Sequence, residues 1–200
     1  KLRFKRELLQ YITTKTDRHF SERILTGCWA KRFVEYKRPK LLFYNREWIE
    51  ARLRANELQI IIAGKPHPDD QFMIDVWNEL YTLSTKLPNL VVLTGYELDL
   101  SKQLKAGVDL WLNTPRVPYE ACGTSWMSAK MLGALSMSTP DGGMDEQNPQ
   151  HCFIFGTHLR MNDQDAYDAE ELVKCIDGAI ELFYQHRDKW YEKAFAAKLE

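Results

Sequence analysis

The segment Leu58-Gln-Ile-Ile-Ile-Ala-Gly64 is an apolar run ending in glycine, followed at once by Lys65-Pro-His-Pro-Asp-Asp70. A strand with one wet face alternates apolar and polar residues. An unbroken apolar run closed by turn residues therefore predicts a strand buried on both faces of a parallel sheet. The stretch Pro66 to Asp70 supplies a rigid turn and an N-cap for a helix over about Gln71 to Lys86.

The same step recurs along the chain. Helical spacing of Leu8, Leu9, Tyr11 and Ile12 predicts a first helix over Leu2 to Thr14, and Arg23 to Trp29 reads as a short strand followed by a helix over Lys40 to Ala55. Strands are expected at Asn89 to Thr94, Val108 to Leu112, Ala134 to Ser138 and Cys152 to Phe155, with a helix over Glu97 to Lys105 and a glycine-containing helix start near Gly123. Two helices over Gln164 to Gln185 and His186 to Lys198 close the chain, with Leu172, Ile176, Ile180, Leu182, Phe183, Trp190 and Tyr191 expected to cover the sheet. Regular alternation of this kind predicts an α/β fold with a doubly wound parallel sheet.

At 200 residues and 44% hydrophobic composition the chain can bury one sizeable core, so one domain over 1–200 is expected. The net charge of −1 gives no global field towards nucleic acid or an anionic membrane, and neither is expected as a partner. Cys28, Cys122, Cys152 and Cys175 lie far apart, which suggests neither a zinc site nor a disulfide framework but thiols in a reducing, cytoplasmic setting. No signal-peptide pattern stands at the first residues, and the start inside a charged helical segment is what a piece of a longer protein would show.

In open α/β sheets ligands lie beyond the carboxyl ends of the strands, so the residues just after each strand carry the most information. Four places stand out. Lys31, Arg32, Lys37 and Arg38 crowd behind the first strand; a solvated basic helix start is the plain alternative, but cations are unfavourable at a helix N-terminus unless an anion is bound. Pro115 to Ser125 ends in small residues whose backbone N–H groups suit a phosphate or sugar, or simply cap a helix. Ala63 to Pro68, where His67 is read as a cap, and Pro140 to Gly143 read equally as turns.

Taken together, Leu25 to Arg38, Ile61 to Pro68, Val108 to Pro115, Glu120 to Ser125, Gly133-Ala-Leu135 and Phe153 to Gly156 occur in the order seen in glycogen, starch and maltodextrin phosphorylases. The chain resembles the C-terminal catalytic domain of that α-glucan phosphorylase family over nearly its whole length. The resemblance implies one Rossmann-like half of a two-domain, GT-B type glycosyltransferase, with the N-terminal domain lying outside this chain. It implies transfer of a glucosyl unit between an α-1,4-glucan and phosphate, with pyridoxal phosphate acting through its phosphate group. Carried over by position, Arg32 and Lys37 match the cations that hold substrate and cofactor phosphates together, and Lys31, Thr124 and Ser125 match cofactor-phosphate contacts. Tyr96 matches an aromatic near the cofactor. Glu120 matches the carboxylate that accepts hydrogen bonds from glucose hydroxyls, with the backbone at Cys122 and Gly123 nearby.

One position departs from the family. Its Schiff-base lysine corresponds to Ser128 here, and serine supplies no amine. Lys130 is two residues on, a rotation of about 200° around a helix to nearly the opposite face. Trp126 adds bulk beside the same place, or packs in the core. Three functions follow: phosphorylase-type transfer, transfer from a nucleotide-sugar donor, and glucan binding without chemistry. The final helix often crosses to the partner domain in two-domain transferases, so an exposed apolar surface and a homodimer are also expected.

Overall fold

The computed structural model describes residues 1–159 and 162–199. Its strands are β1 (Leu25–Ala30), β2 (Leu58–Ala63), β3 (Leu90–Leu93), β4 (Leu110–Asn113), β5 (Leu135–Ser138) and β6 (Phe153–Ile154). The helices are α1 (Leu2–Thr16), α2 (Arg46–Arg54), α3 (Gln71–Lys86), α4 (Leu98–Gly107), α5 (Thr124–Met131), α6 (Gln164–Gln185) and α7 (Arg187–Leu199). All six strands join one sheet in the order β3-β2-β1-β4-β5-β6, and each neighbouring pair is parallel. This is the Rossmann-like, doubly wound order.

The alternation of side chains along each strand sorts the core into two layers. Ile60 and Ile62, Leu90 and Val92, and Leu110 and Leu112 face one side, where Ile49 and Leu53 of α2, Leu80 of α3, Leu172 and Ile176 of α6 and Trp190 of α7 pack. Ile61, Val91 and Trp111 face the other, against Leu8 and Ile12 of α1, Leu104 of α4 and Ala129 of α5. Every residue of β2 is buried, as the apolar run requires. Of the apolar residues expected to cover the sheet, Leu172, Ile176, Phe183 and Trp190 are buried, whereas Tyr191 is exposed along with Phe195 and Leu199. Among the described residues no helix is long and apolar enough to cross a membrane.

Two expected elements differ in the structure. The helix predicted over Lys40 to Ala55 begins as a 3-10 turn at Leu41–Phe43, and α2 starts only at Arg46, where the Asn45 side chain accepts the Trp48 N–H and caps it. The basic stretch after β1 opens no α-helix; a 3-10 turn at Glu35–Lys37 ends with Arg38 in the left-handed region at φ 45°.

Parallel pairing of β1 and β2 runs on past the strand ends. Lys31 N–H donates to Ala63 C=O, Phe33 N–H donates to Lys65 C=O, and Phe33 bridges to Pro66. Gly64 makes this approach feasible: its φ is +145°, and a Cβ there would lie 2.0 Å from the Lys31 carbonyl oxygen.

At the opposite edge, the amino ends of β1 and β4 are held by a buried ion pair. Lys5 of α1 binds Asp109, whose Oδ2 also accepts the Thr26 N–H at 2.9 Å; Lys5 donates as well to Ile24 C=O at 2.7 Å.

Candidate active site

Strand order reverses between β1 and β4, so the crevice at their carboxyl ends is the switch point where ligands of this architecture bind. Lys31, the first residue after β1, donates across that gap to Oδ1 of Asn113, the last residue of β4. Its ammonium also reaches Ser125 Oγ at 3.4 Å, in the first turn of α5, and lies 5.5 Å from the centre of the Trp111 ring. Asn113 Nδ2 is buried and without a hydrogen-bond partner among the described residues. The lysine is itself buried, and that burial, followed by repulsion from Lys37, brings its pKa down to about 7.

Lys37 is positioned by the segment after β4. Thr114 Oγ1 donates to Lys37 C=O at 2.6 Å and accepts the Trp29 indole N–H at 2.8 Å, while Arg116 N–H donates to Tyr36 C=O at 2.7 Å. The Lys37 side chain then pairs with Glu120 Oε2 at 3.0 Å, with both side chains only slightly exposed (13% and 15%). Glu120 is held in turn through its backbone, whose N–H donates to Asp141 Oδ2 at 2.8 Å. Asp141 Oδ1 accepts the Gly142 N–H at 3.0 Å, so one carboxylate ties the loop ahead of α5 to the loop after β5. Burial raises the Asp141 pKa, opposed by these two backbone donors. Gly142 and Gly143 permit the contact: a Cβ on Gly142 would lie 2.9 Å from Glu120 C=O, and Gly143 N–H donates to Cys122 C=O at 3.1 Å.

Gly123 is the N-cap of α5 at φ 75°, ψ 53°, and leaves the first-turn N–H groups without a side-chain cap. Thr124 and Cys122 are exposed at this end. The Tyr96 hydroxyl lies 3.4 Å from Ala30 C=O, one residue before Lys31, and 3.2 Å from Ser101 Oγ. Burial raises the Tyr96 pKa. Arg32 is exposed and its side chain has no partner among the described residues.

Of the four clustered cations, Arg38 faces away from the crevice. Its guanidinium donates to Thr114 C=O at 2.9 Å and Pro115 C=O at 2.8 Å, and pairs with Asp165 at 2.9 Å and Asp168 at 2.7 Å. It ties the carboxyl end of β4 to α6. Trp126 is buried, with its indole N–H donating to Cys122 C=O at 3.2 Å, so it is a packing residue. His67 Nδ1 accepts the Asp69 N–H at 3.2 Å and the Asp70 carboxylate caps α3, as the turn chemistry predicts.

The position that resembles a cofactor lysine is turned back on its own helix. Ser128 Oγ donates to Ser125 C=O at 3.1 Å and lies 3.4 Å from Thr124 C=O. Lys130 is held elsewhere, with Nζ at Gln147 Oε1 and 5.4 Å from the Trp126 ring centre.

Asn113 and Asp141 lie in segments that the sequence singles out, but no site role is read there for either residue. Asn113 was visible as the polar end of an apolar strand, in the place where β4 opens on the switch point. Asp141 looks like any turn aspartate until the two loops are brought together.

An uncharacterized protein of Methanocaldococcus jannaschii is 37% identical over 197 residues, which is 97% of this chain and 37% of that protein. Glycogen phosphorylase of Aquifex aeolicus is 34% identical over 173 residues, 83% of this chain and 25% of the enzyme. The chain is similar to α-glucan glycosyltransferases. Glycogen synthase of Desulfitobacterium hafniense is 31% identical over 159 residues, 80% of this chain and 32% of that enzyme. No protein-family model matches the chain. The chain thus spans well under half the length of these relatives, and its six-stranded parallel sheet with helices on both faces is a Rossmann-like α/β fold, as fits a GT-B type glycosyltransferase domain.

Proposed function

We propose that this chain is the phosphoryl-binding C-terminal half of a glycosyltransferase that moves a glucosyl unit between an α-1,4-glucan and phosphate. The observation that carries the reading is the pairing of Lys37 with Glu120 beside Lys31 at the switch point, which sets phosphate-type and sugar-type groups side by side. Arg32 and Lys37 hold the phosphate to which, or from which, the glucosyl unit passes. Their positive charge offsets the charge that builds on the phosphate and glycosidic oxygens as the bond breaks. Glu120 accepts hydrogen bonds from glucose hydroxyls, and the Cys122 and Gly123 backbone lines the same wall. Lys31, Thr124 and Ser125 hold a second phosphoryl group against the first turn of α5. The glucan is sandwiched between this half and an N-terminal domain of the full-length protein, and four free cysteines suit a cytoplasmic setting.

Pyridoxal phosphate fits this site only in part. A phosphate has its cradle at Lys31, Ser125 and the helix start, with Tyr96 close by, but covalent attachment of the aldehyde has no amine at Ser128, and Lys130 is engaged with Gln147.

That misfit supports a second reading, transfer from a nucleotide-sugar donor whose diphosphate occupies the same cradle, in line with the similarity to a glycogen synthase. The test is made on the full-length protein with maltoheptaose. Glucose 1-phosphate released only when orthophosphate is added supports phosphorolysis; consumption of ADP-glucose or UDP-glucose supports the second reading. Glucan binding without either turnover overturns both in favour of a noncatalytic relative. Borohydride trapping after incubation with pyridoxal phosphate, followed by peptide mapping, is expected to give no adduct on α5.

A further inference from the structure

Lys31 carries a buried amine whose direct side-chain partners among the described residues are all neutral: the Asn113 amide oxygen, the Ser125 hydroxyl and the Trp111 ring. The titratable groups that act on it are few. Lys37 approaches from the 3-10 turn, Lys105 of α4 lies 6.0 Å from the centre of the same Trp111 ring, Cys28 lies in β1, and Glu120 stands on the loop ahead of α5. Glu120 is already paired with Lys37, and burial pushes the Cys28 thiol far up, which keeps it uncharged. The first turn of α5, where Ser125 sits, adds the positive end of a helix dipole. Two lysines, a helix terminus and burial thus oppose a charge on Lys31, and a single committed carboxylate favours it. An anion placed in the crevice reverses that balance.

We propose that anion binding at the switch point is coupled to proton uptake by Lys31, whose buried amine takes a proton when a phosphoryl or sulfuryl group enters the crevice. The proton comes from solvent and ends on Nζ; no other bond is made or broken. The inference rests on the anion-binding reading of this site and adds to it a pH-dependent affinity. Below about pH 7 the lysine is already charged and affinity is flat. Above it each pH unit weakens binding by up to about tenfold, because a proton must be taken from an ever more dilute supply.

Sulfate is the probe, since it keeps two charges across this range while phosphate itself titrates. Its binding to the full chain is measured by calorimetry at pH 7.5 in two buffers of different ionisation enthalpy, and its Kd is followed from pH 6 to 8.5. The expected result is uptake of more than about half a proton and a Kd that rises with pH. Lys31→Arg, permanently charged, should bind sulfate without uptake and with a flat pH profile, whereas Lys105→Arg should leave the uptake unchanged. Sulfate binding that Lys37→Met weakens but that takes up no proton would overturn this inference and leave the anion site standing. Absence of saturable sulfate binding at any pH would overturn the anion site and this inference together. Should Lys31→Arg fail to fold, the wild-type profile decides alone: a Kd independent of pH sinks the proposal.

Discussion

Lys37 Nζ and Glu120 Oε2 stand 3.0 Å apart at the carboxyl edge of the sheet, joining the turn after β1 to the loop that leads into α5. Because both side chains are largely shielded from water, either one left alone is a poorly solvated charge. Each also belongs to a segment fixed by other bonds, Lys37 through Thr114 and Glu120 through Asp141, so neither can swing far to find a new partner.

Removing one member should therefore cost more than an exposed pair would. Lys37→Met and Glu120→Gln are each expected to lower stability by about 1–3 kcal/mol in urea unfolding, with the double variant losing less than the sum. Strict additivity would show that the two side chains do not interact in solution.

Gly64→Ala should be among the most damaging single-methyl changes in the chain. The added Cβ would stand 2.0 Å from the Lys31 carbonyl oxygen at a backbone angle that favours glycine, so β1 and β2 must separate where Lys31 is positioned. A loss above about 3 kcal/mol is expected from strain and overpacking together, read as a lowered urea midpoint.

Arg38→Lys tests whether that residue is structural. A lysine cannot reach two carbonyls and two carboxylates at once, and Asp168 is fully buried beside it. The variant should lose about 2–4 kcal/mol and sulfate affinity should change little once the protein is folded. A large affinity loss in the folded variant would instead place Arg38 in the anion site.

The Lys31 pKa also predicts the pH dependence of folding. In the folded state it is lowered to about 7 from the usual 10.5, so between those values the unfolded chain binds one more proton than the folded one. Stability contributed through this group therefore rises with pH across that window, and the penalty is fully present below pH 7. Relative to Lys31→Met, the wild-type unfolding free energy should climb from pH 7 towards 10; equal slopes for the two proteins would show that Lys31 keeps its charge when buried.

The order of strands and helices was legible because its signals are local. The β2 run, the Asp70 cap and the periodic apolar residues of α6 are set by neighbours a few positions away, and the helix expected over Gln71 to Lys86 is α3 to the residue. The helix expected from Lys40 begins late because Leu41, Leu42 and Phe43 are all buried in a tight turn and Asn45 supplies a cap only beyond them. Site composition was legible as a set of cations and small residues, but not as an arrangement. That Arg38 turns inward depends on Asp165 and Asp168, some 130 positions on, and that Lys31 meets Asn113 depends on β1 and β4 being sheet neighbours. Pairings of that range leave no periodic trace in a single sequence.

The Lys5–Asp109 pair lies at the amino ends of the same two strands whose carboxyl ends carry Lys31 and Asn113. The seam between the two halves of the sheet is thus latched at the edge remote from the crevice. β1 and β4 are thus secured at both ends, and the crevice edge carries crowded like charges and an Asn113 Nδ2 without a partner among the described residues. On the proposed reading, the chemistry at Lys31, Lys37, Glu120 and the start of α5 stands on a foundation that is fixed from the far edge of the sheet as well.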